Sequence, residues 1–85
     1  MKVRQFSLRS YLERALQLAE YERDEDGVIV ASVPNADGFY AQGSSIEEAR
    51  TELADVIEGN VLLALQLGFT IPTLPGVEVT EQEVA

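Results

Sequence analysis

One long helical segment constrains the fold of this chain more than any other feature of its sequence. Ser45 and Glu48 have the spacing of a capping box at a helix start, and Gly68 is typical of a helix end. An unbroken helix over residues 46–67 would be about 33 Å long, whereas a compact domain of this size is about 25–30 Å across. The residues predicted to form its buried stripe are Ile46, Ala49, Leu53, Val56, Ile57, Asn60, Val61, Ala64 and Leu67.

Three leucines of this helix, Leu62, Leu63 and Leu65, lie off the buried stripe. The C-terminal half of the helix is therefore apolar nearly all round, which predicts contact with another subunit. Small domains without disulfides or metals commonly gain stability by oligomerisation. We expect a homo-oligomer whose interface contains Val61, Leu62, Leu63 and Leu65.

A shorter amphipathic helix is predicted near the N-terminus, over about residues 7–19. Ser7 is a favourable N-cap, and Phe6 before it is placed to pack on Tyr11 as a hydrophobic staple. Apolar residues recur at helical spacing at Leu8, Tyr11, Leu12, Ala15, Leu16 and Ala19.

Extended runs over residues 20–23, 28–33 and 39–42 predict a three-stranded antiparallel meander. Two turns rich in Asp and Gly separate these runs. Residues 77–79 alternate and could add a fourth, edge strand, and residues 80–85 are predicted to be an acidic tail. We therefore predict a single domain over residues 1–85 with a core over about 20–79. Its class is α+β, with a three- to four-stranded antiparallel sheet packed with two helices in the order α-β-β-β-α-β.

Composition excludes several kinds of function. The chain has no His and no Cys, which excludes thiol nucleophiles, Ser-His triads and Cys/His zinc sites, and we expect no metal and no cofactor. Its 15 acidic and 6 basic residues give a net charge of −9, which opposes nucleic-acid binding and suits a basic protein partner. The longest apolar run, Val61 to Leu65, is far short of the ~20 residues that span a bilayer. We expect a cytoplasmic protein without membrane contact.

The densest group of candidate functional residues lies in the two turns and consists of Asp24, Glu25, Asp26 and Asp37. Paired carboxylates can hold Mg²⁺ for phosphoryl chemistry. Asp is also common in solvated hairpin turns, and this second interpretation is the one we favour. The spacing is not that of an EF-hand loop, which places a Glu at position twelve.

Aromatic residues form a second candidate group on neighbouring strands: Tyr21, Phe39 and Tyr40. Such a set can stack RNA bases, but that use normally comes with clustered Arg or Lys. Without them, we expect one side to pack on the helices and an exposed member to contact a protein partner.

The order of these motifs resembles the HicB-like antitoxin family over about residues 21–72. The matching pieces are Tyr21 with Glu25-Asp26-Gly27, Ala31-Ser32-Val33-Pro34, Asp37-Gly38-Phe39, Ala41-Gln42-Gly43-Ser44-Ser45-Ile46-Glu47-Glu48-Ala49 and Ile71-Pro72. Each piece is short, and their combination in this order is what carries the resemblance. The chain departs from the family pattern in its extra N-terminal helix and in Ser45, where Thr is more usual.

The resemblance implies a partial RNase H-like fold and a role in neutralising a HicA-type toxin, a small basic mRNA ribonuclease. Many members carry a C-terminal DNA-binding segment, and the ten residues after Pro75 leave no room for one here. DNA is therefore an unlikely partner on this interpretation.

We therefore predict a non-enzymatic antitoxin or interaction module that covers the active surface of such a toxin. The residues expected to contact it are Asp24, Glu25, Asp26, Asp37, Phe39 and Tyr40. One alternative is a stand-alone oligomeric scaffold or regulator with no toxin partner. A second alternative is a degenerate Mg²⁺-dependent RNase H-like nuclease, whose activity Asp26→Asn or Asp37→Asn would abolish.

Overall fold

Two helices and two antiparallel sheets make up the computed structural model of the protein, which describes residues 2–77 and 80–83. This arrangement confirms the predicted α+β class. The elements are, in chain order, β1 (Lys2–Gln5), α1 (Leu8–Leu18), β2 (Glu20–Arg23), β3 (Ile29–Ser32), β4 (Tyr40–Gly43), α2 (Ile46–Leu67) and β5 (Thr80–Glu83).

Strands β2, β3 and β4 form the predicted antiparallel meander, in that spatial order. The β2–β3 turn is closed by Asp24, whose carboxylate Oδ1 accepts hydrogen bonds from the backbone N–H of Asp26 and of Val28, both at 2.9 Å. Gly27 follows with a φ of 82°, a left-handed conformation that favours glycine. Local turn chemistry therefore fixes the hairpin, as the sequence predicts.

The long helix α2 runs unbroken over its predicted length. Ser45 is its N-cap, and its hydroxyl Oγ accepts a hydrogen bond from the N–H of Glu48 at 3.1 Å. The return bond of the predicted capping box is displaced by one residue, because the Glu48 carboxylate accepts from the N–H and hydroxyl of Ser44. Gly68 ends the helix with a φ of 73°.

The buried stripe of α2 is narrower than predicted. Ala49, Leu53, Ile57 and Val61 have no exposed surface. The prediction is wrong for three members at the edges of the stripe, because Ile46 is 56% exposed, Leu67 is 55% exposed and Asn60 is also exposed. The sheet is only three strands wide, so it covers one narrow face of the helix.

A glycine allows α2 to lie close against the sheet. A Cβ added to Gly43, the last residue of β4, would lie 2.6 Å from the backbone nitrogen of Ala49 and 2.9 Å from the carbonyl carbon of Glu48. These are backbone atoms at the start of α2 and cannot move aside as a side chain can. Gly43 is therefore required by the contact between strand and helix rather than by turn geometry.

Helix α1 packs on α2 and closes the core. Ser7 is its N-cap, as predicted, and accepts a hydrogen bond from the N–H of Ser10 at 3.1 Å. The predicted staple is present, because the rings of Phe6 and Tyr11 meet edge to face with centroids 5.9 Å apart. Tyr11 also meets the ring of Phe39 edge to face, at 6.3 Å, which joins α1 to the end of the sheet.

Strands β1 and β5 form a second, two-stranded sheet that is not predicted from the sequence. Strand β1 pairs antiparallel with β5, from Lys2 opposite Glu83 to Gln5 opposite Thr80. The predicted acidic tail is therefore wrong for residues 80–83, and the predicted edge strand at 77–79 lies partly outside the described residues. The protein measures 54 × 24 × 19 Å. Its radius of gyration is 14.3 Å, whereas that of a compact domain of this size is about 12 Å.

Candidate functional site

The three-stranded sheet has one face covered by α2 and one open face. Residues that stand directly opposite one another in antiparallel strands point to the same side. Ile29 and Ala31 of β3 are buried on the covered side, whereas Ser32 is exposed on the other. Strand register therefore decides which side chains a partner could reach.

Two cross-strand rows make up this open sheet face. The first row places Glu20, Ser32 and Tyr40 side by side, and the second places Glu22, Val30 and Gln42 side by side. Five of these six side chains are exposed, and Val30 is half-buried. The face thus combines two carboxylates with one large aromatic ring, since Tyr40 is 66% exposed.

The predicted acidic cluster is divided between the two ends of this sheet. The turn of Asp24, Glu25 and Asp26 follows Arg23, whose partner is Ile29 at the first end of β3. Asp37 lies in the loop after Ser32, at the opposite end. All four carboxylates are exposed, but they lie at opposite ends of the sheet and do not form one cluster.

The predicted aromatic group is likewise divided, between the two faces of the sheet. Phe39 is 2% exposed and lies in the core, so it has almost no surface to offer a partner. Tyr21 stands opposite Ala31 on the covered side and is half-buried. Of these three aromatic residues, only Tyr40 presents its ring fully to solvent. Tyr40 and Phe39 are adjacent in the chain. Successive side chains of an extended segment point to opposite faces, so one ring is exposed and the other is buried.

Glu20 and Glu22 are candidate site residues that the sequence motifs did not predict. A signal was present in the alternation of β2, where an aromatic Tyr21 stands between two glutamates. An amphipathic strand with its aromatic residue in the core turns both neighbours to the open side. The two glutamates add charge of the same sign as the bordering turns.

A second surface lies at the C-terminal end of α2. Of the four predicted interface residues, Val61 is fully buried within the chain and Leu65 is half-buried against the core, so Val61 has no surface to offer a second subunit. Leu62 and Leu63 are 43% and 52% exposed. Leu63 also lines a pocket of about 180 Å³ between α2 and the segment after it; the other lining residues are Asp37, Phe39, Asn60, Val61, Ala64, Phe69, Thr70, Ile71 and Pro72.

Within residues 2–77 and 80–83 the structure contains no group of three or more acidic side chains that could hold a metal ion. The turn carboxylate of Asp24 already accepts two backbone hydrogen bonds. Ser44, at the start of α2, donates its hydroxyl hydrogen to Glu48 at 2.9 Å and thereby helps to cap the helix.

Neither described helix is long and apolar enough to cross a membrane.

Comparison with known proteins gives matches at the level of family and of fold. The model of the UPF0150-like family matches residues 10–72 of the chain. A UPF0150 protein of Synechocystis sp. is 43% identical over 37 residues, which is 44% of this chain and about half (54%) of that relative. The crystal structure of TTHA0281 from Thermus thermophilus is 32% identical and superimposes with a TM-score of 0.76, covering 92% of this chain and 94% of that one.

Proposed function

Because the chain belongs to the UPF0150-like family, which is related to the HicB-like antitoxins, we propose that it is a non-enzymatic antitoxin module. On this proposal it binds a small basic mRNA ribonuclease of the HicA type and covers its active surface. The observation that carries the proposal is the open sheet face, where the exposed Tyr40 shares a face with Glu20 and Glu22 in a protein of net charge −9.

Charge complementarity supports a basic partner on this face. Glu20 and Glu22 lie on the open sheet face, and the Asp24–Asp26 turn lies at one end of the sheet. Asp37 follows the other end of β3 and lines the pocket beside α2. A ribonuclease that binds RNA presents Lys and Arg where phosphates dock. Carboxylates in the same arrangement would attract that surface, speed association and displace the RNA.

Tyr40 would supply the apolar part of the contact. Exposed tyrosines are favoured at interfaces because the ring buries a large area at a small cost in side-chain entropy while the hydroxyl keeps a hydrogen bond. Its neighbours in the same row, Ser32 and Glu20, are polar and fit the rim of such a contact.

The proposal is tested by titrating the protein with a small basic protein encoded beside it, and by calorimetry on variants of the open sheet face. Tyr40→Ala should weaken binding about 30-fold or more if the ring is a central anchor. Glu22→Lys should reduce the association rate and flatten its dependence on salt.

Glu13→Lys is the matched control, because it makes the same change of charge on an exposed residue of α1, away from the sheet. It should reduce the association rate much less than Glu22→Lys does. Equal effects of the two reversals would show that only net charge matters. Absence of binding at low salt, or of any small basic protein encoded nearby, would overturn the proposal in favour of a stand-alone regulator.

A further inference from the structure

The exposed apolar surface of the protein is concentrated in a stretch of chain without charge. No Asp, Glu, Lys or Arg occurs from residue 59 to residue 77, in a protein that is 25% charged. Six large hydrophobic side chains are exposed within the described residues, and four of them lie in this stretch: Leu62, Leu63, Leu67 and Phe69. An exposed apolar surface without charges lowers solubility and favours association with another molecule.

Gly59 lies at the start of the uncharged stretch, inside α2. A glycine in a helix interior costs about 1 kcal/mol relative to alanine. The usual reasons for accepting that cost are absent at this position. Gly59 does not have a positive φ, it is exposed, and a Cβ added to it would meet nothing within 4 Å. Close approach of a backbone from outside the chain would explain it.

Gly59 shares one face of α2 with the exposed leucines. Gly59, Leu62, Leu63 and Gln66 stand at positions i, i+3, i+4 and i+7, which form a single stripe along a helix. All four are exposed. A small residue in line with leucines is the pattern that lets two helices cross closely and interdigitate.

We propose that this stripe, the Gly59 stripe, is where α2 packs against α2 of a second copy of the chain. Two molecules of charge −9 repel each other over most of their surfaces. The end of α2 from residue 59 carries no charge of its own, so two copies oppose fewer carboxylates there than elsewhere, with Asp37 in the pocket beside Leu63 as the acidic neighbour. A basic partner gains little charge attraction from this single carboxylate, so the observations favour a second copy over a toxin as the occupant.

The charges next to the stripe also select the direction of the crossing. In a parallel pair Asp55 and Glu58 would lie beside the same two residues of the other helix. In an antiparallel pair with its two-fold axis between Leu62 and Leu63, Gly59 lies opposite Gln66 of the second copy. Each acidic residue then faces the uncharged residues 67–70, so the antiparallel crossing avoids the repulsion.

Mass measurements by light scattering over a range of concentrations test the interface. The wild-type protein should be a dimer, and Leu63→Glu should weaken self-association about 100-fold, because it places a carboxylate in an apolar contact on both sides of the axis. Ile46→Glu is the matched control, since Ile46 is similarly exposed on the same helix but lies outside the stripe. A wild-type monomer at every concentration, or equal effects of both variants, would overturn the proposal.

Gly59→Ala distinguishes a close crossing from a loose apolar contact. It should raise the thermal midpoint of the diluted monomer, because alanine favours helix and its Cβ has open space. It should at the same time weaken dimerisation about tenfold, because the added methyl separates the two helices. Unchanged or stronger dimerisation would contradict the crossing at Gly59.

Engineered cysteines test the register, because the natural chain has none. A disulfide requires Cα atoms about 4.4–6.8 Å apart. Leu63→Cys lies beside the proposed axis and should cross-link to its own copy under mild oxidation. Gln66→Cys should not cross-link in an antiparallel pair, because its copy lies several residues away, whereas a parallel pair would link both variants. Failure of Leu63→Cys to cross-link in a protein that is dimeric by mass would overturn the register.

Discussion

At the scale of single residues, Tyr11 joins α1 to the rest of the molecule through both parts of its side chain. Its ring is fully buried between Phe6 and Phe39. Its hydroxyl donates a 2.5 Å hydrogen bond to the carbonyl oxygen of Pro72, in the segment that follows α2. Burial raises the pKa of Tyr11 from 10.0 to about 12, because the charged phenolate is poorly solvated there.

The pKa of Tyr11 predicts how stability changes at alkaline pH. The unfolded chain releases this phenol proton near pH 10.0, whereas the folded protein holds it until about pH 12. The stabilisation is therefore complete below pH 10 and is lost as the pH rises towards 12. Urea denaturation across this range should show a fall in the free energy of unfolding that is smaller in Tyr11→Phe than in the wild type.

Tyr11→Phe should also be less stable at neutral pH, by about 1–2 kcal/mol, because the carbonyl of Pro72 loses its partner. Tyr40→Phe is the control, since that side chain is 66% exposed. The control should leave both the neutral stability and the alkaline slope unchanged. An alkaline slope in Tyr11→Phe equal to that of the wild type would exclude Tyr11 as its source.

At the scale of elements, the contact between β4 and the start of α2 depends on Gly43. Gly43→Ala should destabilise the protein by about 3 kcal/mol, because its Cβ would overlap backbone atoms of Ala49 and Glu48 and force the two elements apart. Thermal unfolding of Gly43→Ala and Gly59→Ala, both measured in dilute solution, gives a matched pair. The first should lose stability and the second gain it; a gain in both would disprove the close contact.

At the scale of the whole molecule, the two proposed interfaces should respond to salt in opposite directions. Salt screens the attraction between the open sheet face and a basic partner, so that binding should weaken as ionic strength rises. Salt also screens the repulsion between two copies of charge −9, so that dimerisation through the Gly59 stripe should hold or strengthen. Sedimentation and calorimetry from low to high salt measure both, and parallel responses would argue against two separate surfaces.

The features that the sequence predicts well depend on neighbours along the chain. The caps at Ser7 and Ser45, the turn at Gly27 and the helix end at Gly68 are all predicted and are all present. Each is determined by interactions within about five residues, so the residue types alone are informative. The α+β class follows, because these signals fix the order of the helices and strands.

The candidate site is predicted only in part, because its geometry depends on which side each strand turns to the core. Tyr40 is predicted to meet a partner and is exposed, but Phe39 beside it is buried. The sequence predicts one acidic group from the two turns, whereas the length of β3 separates them. Glu20 and Glu22 gain importance only from the register that places them on the open sheet face.

By itself, the sequence determined the two helices and their caps, the three-stranded meander and its turns, the acidic surface and the apolar excess of α2. The tertiary structure decided the pairing of β1 with β5, the close contact at Gly43 and the burial of Val61 beside the exposed Leu63. The physical reason is that caps and turns are local interactions, whereas pairing, burial and exposure depend on residues distant in the chain. Folding brings these distant residues into contact and thereby determines which apolar side chains are buried in the core and which stay exposed to a second molecule.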